Sequence, residues 1–285
     1  MDWYIRYNIG RKLKLQPCGP SLVASEGFSA TTFDAEITRR LQLGKGTRGQ
    51  VVVIRFYDNP VEEEFVAKFY DPQFCPYDMS CIESKTREVT AYKTLTTMQG
   101  KEIPTFFGEF LWFSEDGPAE GISAIVLELI NDPVVGTFPP ITDANEKAQL
   151  KASAIALLKK MHAHEVYHRD IRPSNLFWDH IARLTICDFE AALCKRNSIR
   201  AAGWIAEDTS CMMGALMECG LDDDRACRDI PKLRISAAWP LLMYRTIVRQ
   251  NPCNVSAIKM ASALAYASGW LAFRLILIYS SLIFK

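Results

Sequence analysis

The sequence predicts an α+β protein in which a β-rich first half carries one inserted helix and the second half is mainly helical. Three observations carry this. Short β-branched and aromatic runs bounded by turn residues fill residues 37–130, and a stretch free of Pro and Gly with helical apolar spacing interrupts them. Beyond the breakers Asp132-Pro133, Gly136 and Pro139-Pro140, a long helical pattern begins near Asp143. A chain of 285 residues, 49% hydrophobic and 23% charged, can bury one large or two small cores, so two packed parts meeting near residues 130–133 are expected.

Residues 1–35 mix Gly, Pro and Ser without a clear period and read as a loosely attached leader, with a basic run at Arg11-Lys12-Leu13-Lys14. Val51–Phe56 reads as a strand, Asp58-Asn59-Pro60 as a turn and Phe65–Phe69 as a second strand. Ser80 to Met98 reads as a helix because Val89, Tyr92 and Leu95 fall at helical spacing. Thr105–Phe113 and Ser123–Ile130 are two more strands, and the long helix runs from about Asp143 to His164. A further helix is expected to begin near Glu207-Asp208, with Met212, Met213, Leu216 and Met217 as its apolar face. The resulting divisions are 1–35, 36–130, 131–230 and an atypical apolar region, 231–285. Residues 260–284 are almost wholly apolar, broken by Arg274 into pieces of 14 and 10 residues. Together these approach the ~20 residues that a bilayer-spanning helix needs, so a membrane anchor and a buried C-terminal helix both stand as readings.

Lys plus Arg equals Asp plus Glu, at 33 each, so no overall field draws the chain to nucleic acid and no such partner is expected. The nine cysteines form no C-x-x-C pair and the N-terminus lacks a signal-peptide apolar core. That usage points to reduced thiols in a cytosolic or nuclear setting, with the cytoplasm as the expected location, and away from a zinc site.

Gly44-Lys45-Gly46-Thr47-Arg48-Gly49-Gln50-Val51 fits G-x-G-x-x-G-x-V. Glycines there let backbone amides approach phosphate oxygens closely. Alone, the run also fits a plain hairpin, whereas a dinucleotide turn needs a helix next, which β-branched Val51–Ile54 opposes. Lys68 follows in Val66-Ala67-Lys68, and by itself would pass for a surface lysine. Glu88 lies 20 residues on, at the edge of the helix face marked by Val89 and Tyr92, with Glu83 as its rival for Lys68. Such a Lys–Glu pair holds an ammonium on nucleotide phosphates. His168-Arg169-Asp170-Ile171-Arg172-Pro173-Ser174-Asn175 and Thr185-Ile186-Cys187-Asp188-Phe189 are the most specific runs. Asp170 and Asn175 are five apart and Asp188 lies 13 beyond Asn175. That spacing suits a carboxylate accepting a hydroxyl proton, with an amide oxygen and a second carboxylate holding Mg²⁺.

In these motifs the sequence resembles the protein-kinase-like superfamily, nearest its fungal kinase-like and aminoglycoside phosphotransferase groups, over roughly residues 38–220. The resemblance implies a bilobal fold with ATP and Mg²⁺ in the cleft and a protein or small-molecule phosphoryl acceptor. It implies Lys68 and Glu88 as the phosphate-positioning pair, Asp170 as catalytic base, and Asn175 and Asp188 as metal ligands. Gly44, Gly46, Gly49 and Val51 would then border the nucleotide, and Ala124–Ile130, including Glu128, would run into a hinge whose backbone binds adenine. His162 and His168 become supports of the catalytic loop, not metal ligands with His164.

Two departures matter. Glu190 stands where the superfamily pattern Asp-Phe-Gly has Gly, so a strained positive φ and an extra anion beside the phosphates are expected. Only about 20 residues separate Asp188 from Asp208, with no Ala-Pro-Glu motif between them. A pseudokinase that keeps the fold and lacks turnover is therefore the alternative reading.

Overall fold

The computed structural model describes residues 3–19, 32–43, 47–57, 63–74, 81–115, 117–135, 137, 141–181, 183–194, 198–217 and 221. Residues 231–285, including the apolar stretch 260–284, lie outside the described residues, as do Gly44 and Gly46. Among the described residues, no helix is long and apolar enough to cross a membrane.

Helix and strand are mixed. A short helix α1 (Trp3–Arg6) leads into β1 (Lys12–Pro17), β2 (Phe33–Gln42), β3 (Gln50–Phe56) and β4 (Glu64–Tyr70). Helix α2 (Cys81–Thr94) precedes β5 (Phe106–Trp112) and β6 (Ile122–Glu128). These six strands are antiparallel and close into a barrel in the order β1-β2-β3-β4-β6-β5. Helix α3 (Ala144–Ala163) follows, then the short strands β7 (Val166–Tyr167), β8 (Leu176–Trp178), β9 (Leu184–Ile186) and β10 (Leu193–Cys194), then helix α4 (Ser198–Met217).

Side-chain alternation explains how one strand serves two cores. Successive residues of a strand point to opposite faces. In β6, Ile122, Ala124 and Val126 join the aromatic core of Phe33, Phe56, Phe69, Phe110 and Trp112. Ile125 and Leu127 instead join the cluster containing Tyr92 of α2, Leu157 and Met161 of α3, and Leu216 of α4. A strand covered on both faces reads as a nearly continuous apolar run, which Ile122–Leu127 is.

Within the stretch expected to be a loosely attached leader, the described residues Lys12–Pro17 are instead part of the sheet. Strand β1 pairs with both β2 and β5, with Leu13 and Leu15 buried. The basic run concealed a period of two, because Lys12 and Lys14 face outward on either side of Leu13. Ahead of it, Arg6 is fully buried against Asp71 at 2.6 Å, and the Tyr7 hydroxyl donates to the same carboxylate at 3.0 Å.

The long helix starts where its sequence says it should. The Asp143 side chain accepts from the Glu146 amide at 2.8 Å, satisfying one of the free donors of the first turn. The last helix differs from expectation. It begins at Ser198, since Ala201, Ala202 and Ala206 extend helical propensity upstream of Asp208. Met212, Ala215 and Leu216 are buried, whereas Met217 is exposed.

Candidate functional site

Lys68 sits on β4 with its Cα opposite Val51 of β3, and its ammonium is buried. Its stem passes directly over Gly49. A Cβ at Gly49 would lie 2.7 Å from Lys68 Cε and 2.8 Å from Cγ, so the glycine is there for close approach. Glu88 comes from the buried face of α2, which also carries Ser84, Ala91 and Tyr92. Its Oε2 accepts from Lys68 Nζ at 2.7 Å and from the Tyr70 hydroxyl at 2.5 Å, while its buried Oε1 has no partner. Glu83, the rival on the same helix, lies 3.6 Å from Arg87 and is over half exposed.

Lys68 meets two more carboxylates, Asp188 at 2.6 Å and Glu190 at 3.3 Å. Burial opposes its charge, but Glu88, Tyr70, Asp188 and Glu190 outweigh it and hold the ammonium pKa well above its ordinary value. Burial raises the Glu88 carboxyl above the usual range, against the pull of Lys68. Asp188 goes the other way: despite its burial, Lys68 above all, then His168 and Arg172, draw it below the ordinary carboxylate value. Oxygens of Glu88, Asp188 and Glu190 lie within 4.8 Å of one another, and the Lys68 ammonium touches all three.

The loop after β7 brings Asp170 and Asn175 toward this cluster. Asp208 of α4 organises it from below, where its fully buried carboxylate accepts from the amides of His168 at 2.9 Å and Arg169 at 2.8 Å. The His162 ring reaches Asp208 at 3.0 Å. His168 packs on Phe189 and its Nε2 faces the Cys187 carbonyl at 2.9 Å, which only accepts, so Nε2 carries the hydrogen. Nδ1 is then free to accept from the Asp170 amide, 3.3 Å away. Burial lowers the His168 pKa, in keeping with that neutral ring. His164 stands exposed at the end of α3, so the three histidines do not converge.

Asn175 Nδ2 donates to the Asp170 carbonyl at 3.0 Å, which fixes the amide, and Oδ1 accepts from the Ser174 hydroxyl at 3.4 Å with a second lone pair still to offer. The Asn175 carbonyl in turn accepts from the Cys187 amide at 3.0 Å, tying this loop to the turn bearing Asp188. Asp188 itself adopts the left-handed conformation, with φ 69°. Arg172 bridges the two motifs, 3.5 Å from Asp170 and 3.6 Å from Asp188. The Asp170 side chain is 38% exposed, accessible to a reactant.

Glu190 corrects one expectation. It lies in a 3₁₀ turn, Phe189–Ala191, and carries no positive φ, so glycine's conformational freedom is not missed. The strain at this turn falls on Asp188. The extra anion is present as expected, but it is paired, 3.3 Å from Lys68 and 3.5 Å from Arg48.

Glu128 stands apart from the cluster. Its carboxylate accepts from both the amide and the hydroxyl of Thr105, at 2.9 and 2.8 Å. Sequence reasoning took Asp208 only as the start of a helix and gave no role to Arg48 or Tyr70. Asp208 was detectable as a carboxylate in line with Met212 and Ala215, at i, i+4 and i+7 on one apolar face.

No protein-family model matches the chain. It is 26% identical over 176 residues to a mitogen-activated protein kinase of Saccharomyces cerevisiae, covering 58% of this chain and 34% of the yeast protein. It is also 26% identical over 162 residues to serine/threonine-protein kinase 32B of Homo sapiens, covering 56% of this chain and 36% of the human protein. The chain thus spans about a third of the length of these curated relatives. This partial similarity supports a protein-kinase-like relationship and nothing finer.

Proposed function

We propose that the chain is an ATP- and Mg²⁺-dependent phosphotransferase of bilobal, protein-kinase-like architecture, passing a γ-phosphoryl group to a hydroxyl of a protein or small molecule. The observation that carries this is the buried Lys68–Glu88 pair at 2.7 Å, with Asp188 2.6 Å from the same ammonium. A buried Lys–Glu pair of this kind is the arrangement that holds an ammonium on nucleotide phosphates.

The residues fit the cofactors. Asn175 Oδ1 and the Asp188 carboxylate are hard oxygen donors of the kind Mg²⁺ takes, and Asn175 is already fixed through its amide nitrogen. Bound there, the ion would neutralise charge on the transferring phosphoryl group. Lys68 orients phosphate oxygens, and Glu88 with Tyr70 holds Lys68 in place. Asp170 accepts the acceptor hydroxyl's proton, and His168 and Asn175 hold the backbone on either side of it. Glu128 is a candidate for adenine contact through its backbone carbonyl alone, since its side chain and its amide are both committed to Thr105.

Asp170→Asn tests the assignment. It should abolish transfer of labelled γ-phosphate while leaving nucleotide binding within about threefold of the parent, since the Asp170 side chain is 38% exposed and its ion-pair partner is Arg172. Turnover equal to the parent's would refute it. One observation favours a second reading, a pseudokinase scaffold: Asp188 is already neutralised by Lys68 and Arg172. Mg²⁺-dependent turnover by the purified chain would exclude that reading.

A further inference from the structure

Four carboxylates, Glu88, Asp170, Asp188 and Glu190, face three cations, Lys68, Arg48 and Arg172, in one connected set of contacts no longer than 3.6 Å. Lys68 is the one buried cation of the three and is shared by three of the four acids. Glu190 differs from the others in what it joins. One oxygen lies 3.3 Å from Lys68, and the other 3.5 Å from Arg48, beside the Gly49 turn of β3. Its side chain is only 13% exposed, so it is held there and not waving in solvent.

This carboxylate engages Lys68, the cation assigned above to phosphate oxygens, and Arg48 of the adjoining glycine run. A polyanion arriving without a counter-ion must displace Glu190 from Lys68 and Arg48. It must then lie beside the released charge in a set where acids already outnumber bases. Both effects weaken binding, and a divalent cation carried in with the phosphates relieves both, because it offers the displaced carboxylate a new partner.

From this we infer that Glu190 is a specificity-determining residue: it excludes metal-free nucleoside triphosphate and restricts the site to the metal-loaded form. The inference rests on the nucleotide reading above and deepens it. Neither Glu88 nor Asp188 does this alone, since Glu88 is fully buried behind Lys68 and Asp188 is balanced by Lys68 and Arg172.

The test is isothermal titration calorimetry of the full chain with ATP in EDTA and with ATP in excess Mg²⁺, for the parent and Glu190→Gln. Glu190→Gly serves as the second variant, since residue 190 has an ordinary backbone conformation and tolerates either. The expected result is a free-ATP affinity about tenfold higher in both variants, with Mg²⁺-ATP affinity changed by about threefold or less. If the parent binds Mg²⁺-ATP and free ATP gains nothing in either variant, the role of Glu190 is overturned and the nucleotide site stands. If the folded parent and variants bind neither form, the nucleotide site itself is refuted, and the inference falls with it.

Discussion

Lys68→Met removes the cation at the centre of the site while keeping the stem that packs over Gly49. The cost follows from what is left behind. Glu88 is fully buried and its Oε1 already lacks a partner, so without Lys68 only the Tyr70 hydroxyl remains on the carboxylate. Breaking a buried ion pair by removing one member costs about 3–5 kcal/mol. For a domain of this size that lowers the melting temperature by about 10 °C.

The variant's deficit should also depend on pH, in a known direction. Burial already holds the Glu88 carboxyl above its usual pKa, and loss of Lys68 raises it further. An acid whose folded pKa lies above its unfolded value, about 4.3 for Glu, destabilises the fold as pH rises between the two, by about 1.4 kcal/mol per unit. Asp188 adds to the difference, because its depressed pKa stabilises the parent above the unfolded value and that contribution is lost with Lys68. The gap between parent and variant is therefore widest near pH 8 and narrows toward pH 5. Thermal melts at pH 8, 6.5 and 5 measure it. A variant that melts within about 2 °C of the parent at pH 8, or whose deficit is constant with pH, would refute the buried-pair reasoning.

Substitutions at two further positions probe the supports of the site. Gly49→Ala sets a Cβ 2.7 Å from Lys68 Cε, so the lysine must shift; a stability loss of about 1–3 kcal/mol and a clear drop in Mg²⁺-ATP affinity are expected from melts and titration, and unchanged affinity would show that Lys68 is not placed by this contact. Asp208→Ala strands the buried amide of His168, at about 1–3 kcal/mol, and the part-buried amide of Arg169 at less; Asp208→Asn should recover at most half, since its NH₂ group opposes one of them, and denaturant melts check both.

The readability of this chain follows the range of the interactions concerned. The strands from Gln50 to Glu128 and helices α2 and α3 were legible because local periodicity and turn residues specify them. The Lys68–Glu88 contact was legible because Glu88 sits one residue from Val89 on a face that must point inward. Strand β1 was not, because its partners are β2 and β5, nearly 100 residues away in the second case, and four residues of alternation hid inside a charge run. The role of Asp208 escaped for a related reason: its partners are backbone amides 39 and 40 residues earlier, which carry no sequence signature. The positive φ of the Asp188 turn falls two motif positions before the one expected. The left-handed residue is Asp188 itself, which leaves position 190 free to carry an acid.

The central claim is that Lys68, Glu88, Asp188 and Asn175 form a nucleotide site. Thermal melts of the parent and Asp188→Ala with and without Mg²⁺-ATP test it most directly. Saturation at about 100 times Kd should stabilise the parent by about 2.7 kcal/mol, a rise of about 5–10 °C, and the rise should vanish in the folded variant. A folded parent whose melting temperature does not move, or an equal rise in Asp188→Ala, would contradict it.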